Sequence, residues 1–216
     1  MKLTAPRSLN REEWLNYLHA SGQPDDALRA QMEKAERMLL ESVRPRGIYR
    51  VLPLAKIPLK GFSVRKHLEG CDQAAILAVT AGSEIDALIR RWQTAGMAMA
   101  VLLDTGSSVL AGQIADSAEA VLRAEIGERF PGRFFTPRFS PGYGDYPLSC
   151  QLDILTLVDA PRKIGLTLTA GEMMVPHKSI TALIGLADHP VSGRLATCTE
   201  CVLREKCTYY RTGGHC

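Results

Sequence analysis

The stretch RFSPGY, residues 138–143, places a cation, an aromatic residue with a polar tip and a Pro-Gly pair within six positions. Pro141 fixes its φ angle and lacks an N–H, and Gly142 adopts positive φ without steric penalty, so this pair predicts a turn. Such a turn leaves carbonyl and N–H groups for polar ligands, and the Arg138 guanidinium is a planar fork that suits a carboxylate. A Pro-Gly pair by itself indicates only a surface turn. Any function for this stretch therefore depends on the segments that accompany it.

The composition is that of an ordinary globular protein. The chain has 216 residues, of which 46% are hydrophobic and 23% are charged. A net charge of +3 is too small to indicate nucleic acid or an anionic membrane as a partner, and 6% aromatic residues is too few for a base-stacking surface. We expect no membrane span and no signal peptide, because no continuous apolar run in the sequence is long enough. The protein is therefore expected in the cytoplasm.

Helical and strand patterns alternate without a strict strand–helix–strand rhythm, which predicts an α+β fold. We expect a twisted, mainly antiparallel sheet with flanking helices. Asn10 is the expected cap of a first helix, and Pro24 is expected in the first turn of a second. The other expected elements are strands at 48–59, 74–80, 164–168 and 179–186, helices at 85–89, at 96–126 and from Pro147 onward, and an ordered loop at 129–146.

Three segments taken together resemble a known family. They are RFSPGY at 138–143, GLTLT at 165–169 and MVPHKSITALIG at 174–185. This combination resembles the activation domain of cobalamin-dependent methionine synthase, and more closely the stand-alone version of that domain. The resemblance covers residues 59–190 and is strongest from Arg138 onward. It implies an activation-domain-like core at 47–195, preceded by a helical segment at 1–46 and followed by a cysteine-rich tail at 196–216.

The resemblance implies a ligand and the residues that bind it. The family binds S-adenosylmethionine on an Arg-x-x-Pro-Gly-Tyr segment. Arg138 would pair with the methionyl carboxylate, the backbone at Ser140 and Gly142 would contact the adenosyl or aminoacyl part, and Tyr143 would lie near the sulfonium methyl. A glutamate on the long helix of the full-length enzymes aligns with Gly112 here. Asp116, one helical turn later, is the expected substitute.

The resemblance also implies a role in methionine biosynthesis. Cobalamin (vitamin B12) on the partner methyltransferase oxidises occasionally to an inactive state, and methyl transfer from S-adenosylmethionine traps the reduced form. The expected partners are a cobalamin-binding methionine synthase or a related corrinoid protein, with flavodoxin or ferredoxin as electron donor. Because the chemistry is achieved by positioning, we expect no catalytic acid or base. Glu172 and His177 are accordingly expected to be structural, and activity is expected only with the cobalamin-bearing partner.

Four of the six cysteines lie in the last nineteen residues, in a C-x2-C-x5-C-x8-C pattern. Clustering of this kind in a cytoplasmic chain favours metal binding over reduced thiols on a free tail. Four thiolates can hold either zinc or an iron–sulfur cluster, and the second is favoured because it would give electrons a route to cobalamin. His215 could replace the last cysteine as a zinc ligand. The predicted ligands are Cys198, Cys201, Cys207 and Cys216, whereas Cys71 and Cys150 are expected to be small buried hydrophobes.

Two alternatives to a reactivation subunit stay open. In the first, the chain is an iron–sulfur or zinc protein that serves a corrinoid partner and has lost S-adenosylmethionine binding. That loss would follow from Gly112 and from Arg194, which lies near the position of a tyrosine in the full-length enzymes. In the second, the chain is an interaction module for a different corrinoid protein and has no small ligand of its own.

Overall fold

The computed structural model describes residues 1–20, 23–193 and 205. The helices are α1 (Arg11–Tyr17), α2 (Asp26–Ser42), α3 (Phe62–His67), α4 (Ser83–Ala95), α5 (Met97–Arg129), α6 (Gln151–Leu157) and α7 (Ala160–Ile164). The strands are β1 (Arg46–Pro53), β2 (Gln73–Thr80), β3 (Phe134–Phe135), β4 (Thr167–Leu168), β5 (Met174–Val175) and β6 (Ser179–Ala187). Short 3-10 helices cover Leu54–Lys56 and Leu148–Cys150.

A four-stranded sheet in the order β1-β2-β6-β3 organises the fold, and β4 and β5 form a separate antiparallel pair. Hydrogen bonds flanking the strands show the directions: Arg44 N donates to Ala81 O (2.8 Å) and Leu54 N donates to Asp72 O (3.2 Å), so β1 and β2 run antiparallel. β3 pairs antiparallel with β6. The predicted α+β class with an antiparallel sheet and flanking helices is confirmed.

Two compact units divide the described chain, and the boundary falls inside β1, β2 and β6. Unit 1 contains Met1–Ile48, Ala78–Leu122 and Ala160–Ile180, and unit 2 contains Tyr49–Leu77, Arg123–Asp159 and the chain from Thr181 onward. The predicted division into 1–46, 47–195 and 196–216 stays a prediction.

Trp14 organises the core of unit 1. Its side chain is fully buried, and its indole Nε1 donates to Thr105 Oγ1 of α5 at 3.0 Å. A Cβ added at Gly106 would lie 2.6 Å from Trp14 Cζ2 and 2.9 Å from Leu39 Cδ1. Real Cβ atoms do not approach so closely, so glycine at this position lets α1 and α2 pack directly on the backbone of α5.

Helix α5 also has the length and composition of a membrane span. Its most apolar 18-residue window has a mean hydropathy of 1.3, which the sequence inspection for continuous apolar runs had missed. Of that window 56% is buried, and core helices of soluble proteins satisfy the same criterion. Because Trp14 and Leu39 pack against Gly106 of this helix, its apolar residues have partners within unit 1. Location in the cytoplasm stays a prediction.

Thr136 links the elements of unit 2. Its hydroxyl accepts from Gly185 N of β6 at 2.8 Å and lies 3.0 Å from Nε2 of His67 at the end of α3. That Nε2 also bonds the carbonyl of Pro137 at 2.9 Å, an acceptor that requires the proton on Nε2. His67 is completely buried, so unit 2 contains a fully enclosed polar link between α3 and the chain entering its loop.

Several predicted boundaries were wrong. Pro24 precedes the N-cap Asp25 and is not within the first helical turn. The strand predicted at 48–59 begins at Arg46 and ends at Pro53, where a 3-10 turn takes over. The strand predicted at 164–168 is largely wrong, because α7 ends at Ile164 and only Thr167–Leu168 is extended. Gly165, with φ of 71°, ends that helix in the left-handed conformation, and its N–H bonds Pro161 O at 3.2 Å.

Candidate functional site

The RFSPGY stretch forms a loop that is attached to the sheet through Phe139. Phe139 and Leu183 of β6 form an antiparallel bridge, with N–H donations of 2.9 and 2.8 Å in the two directions. The Phe139 ring is buried; its centroid lies 4.7 Å from that of His67 and 5.6 Å, edge to face, from that of Tyr143. Side chains alternate along an extended segment, so Arg138 and Ser140 point away from the face that Phe139 occupies.

The turn after Phe139 is closed by its own backbone. Gly142, with φ of 95°, donates its N–H to Tyr146 O at 2.8 Å, and Tyr143 N donates to Ser140 O at 3.1 Å. A Cβ at Gly142 would lie 3.2 Å from Leu148 Cδ2. Glycine is therefore required here both for backbone conformation and for space. The Gly142 N–H and the Ser140 carbonyl are used inside the loop, so backbone contacts to a ligand would fall on the Ser140 N–H and the Gly142 carbonyl.

Asp145 fixes the far side of the loop to α3. Its Oδ2 accepts from Phe62 N at 2.6 Å and its Oδ1 from Ser63 N at 2.7 Å. These backbone hydrogen bonds lower the pKa of Asp145 from 3.8 to about 2. Gly144 lies against the Ser63 side chain, where any Cβ would collide with it. Sequence inspection missed this carboxylate, because the N–H groups that it accepts from lie more than 80 positions earlier in the chain.

The residues buried beneath the loop are largely apolar, and their titratable groups are not ionised near neutral pH. Tyr146 is 1% exposed and its hydroxyl donates to Pro58 O at 3.4 Å; burial raises its pKa. Cys150 is fully buried, and desolvation raises the pKa of its thiol as well. A thiol of raised pKa is a poor nucleophile at neutral pH, in keeping with the expectation that Cys150 is a small hydrophobe. Cys71 is half-buried rather than buried, and desolvation raises its pKa to about 11.

The polar side chains of the loop have defined positions. Ser140 Oγ donates to Thr181 O at 2.7 Å, and Gln151 Nε2 donates to Thr181 Oγ1 at 2.5 Å. The hydroxyl of Ser140 therefore secures the loop to β6. Arg138 is half-buried, with its Nη1 atom enclosed, and Tyr143 is 49% exposed. Unit 2 thus brings Arg138, Ser140, Gly142 and Tyr143 into one short loop that presents a cation and an aromatic ring.

Asp116, the remaining predicted ligand residue, belongs to unit 1. It is exposed on α5 and faces the carboxyl group of Glu13 in α1, whose pKa is raised by burial first and by the Asp116 charge second. Glu13 Oε1 also lies 3.8 Å from where a Cβ of Gly112 would stand. A carboxylate from α1 therefore lies beside the position that the resemblance assigns to a glutamate, and sequence inspection did not identify it. The ligand role of Asp116 stays a prediction.

The third family-like segment, at 174–179, has its polar groups engaged within unit 1. His177 N donates to Asp86 Oδ2 at 2.9 Å, and Ser179 Oγ donates to Pro176 O at 2.7 Å. Lys178 forms an ion pair with Asp104 at 2.8 Å and donates to Ser108 Oγ at 3.0 Å. These contacts hold the segment within unit 1, and because the His177 contact is made by its backbone N–H, the structural role expected of its side chain stays a prediction.

Within residues 1–20 and 23–193, no group of three or more His, Cys, Asp or Glu side chains is arranged to hold a metal ion. The predicted metal ligands Cys198, Cys201, Cys207 and Cys216, together with His215, lie outside the described residues. Metal binding by the tail stays a prediction, and so does the choice between iron–sulfur and zinc.

Comparison with known proteins identifies the fold. No protein-family model and no curated protein matches the chain. Among solved structures, it is similar to the MetH reactivation domain, whose crystal structure is of the domain bound to AdoHcy. The TM-score is 0.57 at 17% sequence identity, and the match covers 99% of this chain and 87% of that one. The two chains share a fold. Identity this low establishes the reactivation-domain fold and nothing finer.

Proposed function

We propose that this chain is an accessory subunit for the reductive reactivation of cobalamin-dependent methionine synthase or a related corrinoid methyltransferase. In this role it binds S-adenosylmethionine on the loop at 138–143 and holds it as the methyl donor for reduced cobalamin on the partner. The observation that carries the proposal is the match along 99% of the chain to a reactivation domain bound to AdoHcy. AdoHcy is what remains of S-adenosylmethionine after the methyl group has left.

The loop has the donor and acceptor types that this ligand needs. S-adenosylmethionine carries a carboxylate, an ammonium and a sulfonium. The Arg138 guanidinium can form two parallel hydrogen bonds with the carboxylate. The carbonyl of Gly142 can accept from the ammonium or lie against the sulfonium. The Tyr143 ring, 49% exposed, offers a π face to the cationic centre.

The contribution of the chain is to position the donor. A reduced cobalamin on the partner would supply the electron pair that accepts the methyl group, and the pair of the broken carbon–sulfur bond would stay on sulfur. No proton moves, so no acid or base is needed. Asp145 and Ser140 hold the loop against α3 and β6, which fixes the position of the sulfonium.

Binding calorimetry tests the ligand assignment. Wild-type chain should bind S-adenosylmethionine and AdoHcy, and Arg138→Ala should weaken both by about 1.5–3 kcal/mol, the value of a charge-assisted hydrogen-bonded pair. Arg90→Ala is the matched control, because Arg90 is an exposed arginine of α4 in unit 1. The titration should be repeated with a cobalamin-loaded methionine synthase fragment present. If neither titration shows binding, the proposal is contradicted. A brown colour of the anaerobically prepared protein would then favour the iron–sulfur alternative.

A further inference from the structure

A group of large apolar side chains is exposed around the loop of unit 2. Phe62, Tyr143, Leu148 and Leu152 are 64, 49, 53 and 61% exposed, and we call these four residues the apolar patch. Isolated apolar side chains on a surface need no explanation, but a group of them on one face indicates a binding surface.

Two short contacts place residues of the patch next to the loop. Phe62 N lies 2.6 Å from Asp145 Oδ2, which places α3 against the residues that follow Tyr143. Leu148 Cδ2 lies 3.2 Å from the Cβ position of Gly142, on the other side of the same turn. Leu152 follows Leu148 by four residues, at the start of α6. Phe62 and Leu148 therefore adjoin the turn that we propose as the methyl-donor site, and Leu152 lies one helical turn beyond Leu148.

A pocket of about 380 Å³ adjoins α6 in the same unit. Its wall contains Asp153, Thr156 and Leu157 of that helix, and the segment after β1 completes it with Ala55, Lys56, Ile57 and Pro58. The pocket is large enough for one anchoring side chain, and most of its lining is apolar. A pocket beside an exposed apolar group is the arrangement at which protein interfaces concentrate their binding energy.

Cations border the patch. Lys66 Nζ lies 5.9 Å from the centroid of the Phe62 ring, and Lys60 lies beside Cys150 at the end of the 3-10 helix that begins with Leu148. Lys56 lines the pocket and Arg65 is exposed on α3. The negative charge of Asp145 is taken up by two backbone N–H groups of α3. In an isologous contact a second copy of this chain would bring the same cations together, so the surface favours an acidic partner.

We propose that the apolar patch and its basic border are the docking surface for the corrinoid-carrying protein, whose contacting face is apolar at its centre and bears carboxylates at its rim. This inference rests on the proposed function, because that function requires the cobalt of another protein to reach the loop. Docking through residues that adjoin the loop would exclude water from the donor site as the two proteins close, and attraction between the charges would accelerate the encounter.

The test uses the full chain and the cobalamin-loaded cobalamin-binding fragment of a methionine synthase that lacks its own activation domain. Biolayer interferometry should show binding by the wild type, and the double variant Phe62→Ser/Leu152→Ser should bind at least about tenfold more weakly. Met97→Ser, an equally exposed apolar residue of α5 at 65%, should bind like the wild type. Lys66→Glu should slow association and reduce its dependence on salt.

Four outcomes would overturn the docking proposal. They are wild-type affinity in the double variant, an equal loss in Met97→Ser, no binding by the wild type, and self-association of the wild type that the double variant abolishes. Binding of S-adenosylmethionine, measured on the same preparations, separates this proposal from the proposed function. If the double variant binds S-adenosylmethionine normally and still binds the cobalamin fragment like the wild type, only the docking surface is wrong.

Discussion

Two proline-containing turns adjoin strand β6, and they use their polar groups in different ways. The turn at 174–179 leads directly into β6 and is tied down by side chains of α4 and α5, with Asp86 accepting from His177 N and Asp104 pairing with Lys178. The loop at 138–146 joins β6 through the bridge at Phe139 and the Ser140 hydroxyl, and it is held further by its own backbone and by Asp145. Only the second presents both a half-buried guanidinium and a half-exposed aromatic ring.

The difference separates a structural element from a candidate ligand site, although both turns belong to the resemblance. A polar group that is already hydrogen-bonded in a buried position has little to offer a ligand, because a ligand would have to replace that bond. Asp86 is 7% exposed and accepts from His177 N through Oδ2, and the Lys178 side chain is 14% exposed and paired with Asp104, so both residues bind other parts of the fold. Arg138 is half-buried and Tyr143 is 49% exposed, on a loop whose shape is fixed by other residues.

The largest expected effect comes from removing the acceptor of the structural turn. Asp86→Ala leaves the N–H of His177 without its 2.9 Å bond and should reduce the free energy of unfolding by about 1.5–3 kcal/mol. Urea denaturation measures it, and Glu84→Ala, at an exposed position of the same helix, is the control. S-adenosylmethionine affinity should stay unchanged in the folded variant. A loss of affinity without a loss of stability would show that this turn is part of the ligand site.

The next effect concerns the backbone of the ligand loop. Gly142→Val introduces a β-branched residue at φ of 95° and should destabilise the loop by about 1–2 kcal/mol, weakening S-adenosylmethionine binding as well. Gly171→Val is the matched control, since no positive φ is found at Gly171 and its nearest side-chain atom is 3.9 Å away. Calorimetric titration of both variants should show weakened binding only in the first. Equal affinities would mean that the loop does not need its observed shape.

Acid should release the contact between the loop and α3. The pKa of Asp145 is lowered to about 2 in the folded chain, so the stabilisation from this carboxylate is complete above its ordinary value of 3.8 and is lost as the pH falls toward 2. Amide chemical shifts of Phe62 and Ser63, followed by NMR from pH 6 to pH 2, should therefore change only in the lowest part of that range. Asp145→Asn should abolish the transition. A midpoint near 4 in the wild type would show that the carboxylate does not cap α3.

The smallest effect is expected for the ion pair of the structural turn. Asp104→Asn removes a partner that is 57% exposed, and Lys178 keeps its bonds to Asp104 O and Ser108 Oγ. The free energy of unfolding should fall by at most about 1 kcal/mol, and less at high salt. Urea denaturation at two salt concentrations measures both. A larger loss that persists at high salt would show that the charge pair, rather than the carbonyl and hydroxyl contacts, fixes Lys178.

Elements with strong local signals could be predicted from the sequence. Asn10 caps α1 by accepting from Glu13 N, as predicted, and the apolar runs of β2 and β6 are strands. The strand predicted at 164–168 was largely wrong, because a short apolar run has the same pattern at the buried end of a helix as in a strand. Asp145 accepts from residues more than 80 positions earlier, and Glu13 lies beside Asp116, which is about a hundred positions later in the sequence. Patterns of local spacing therefore could not predict either contact. The ligand residues themselves rest on the resemblance and stay predictions.

Backbone-assigned NMR of the full chain titrated with S-adenosylmethionine tests the central claim most directly. Each turn has its own amide signals, so binding at one turn can be distinguished from binding at the other. The amides of Phe139, Ser140, Gly142 and Tyr143 should shift on binding, while those of His177, Lys178 and Ser179 should not. Shifts confined to 177–179, or no shift in either turn with the cobalamin-loaded partner fragment present, would contradict it.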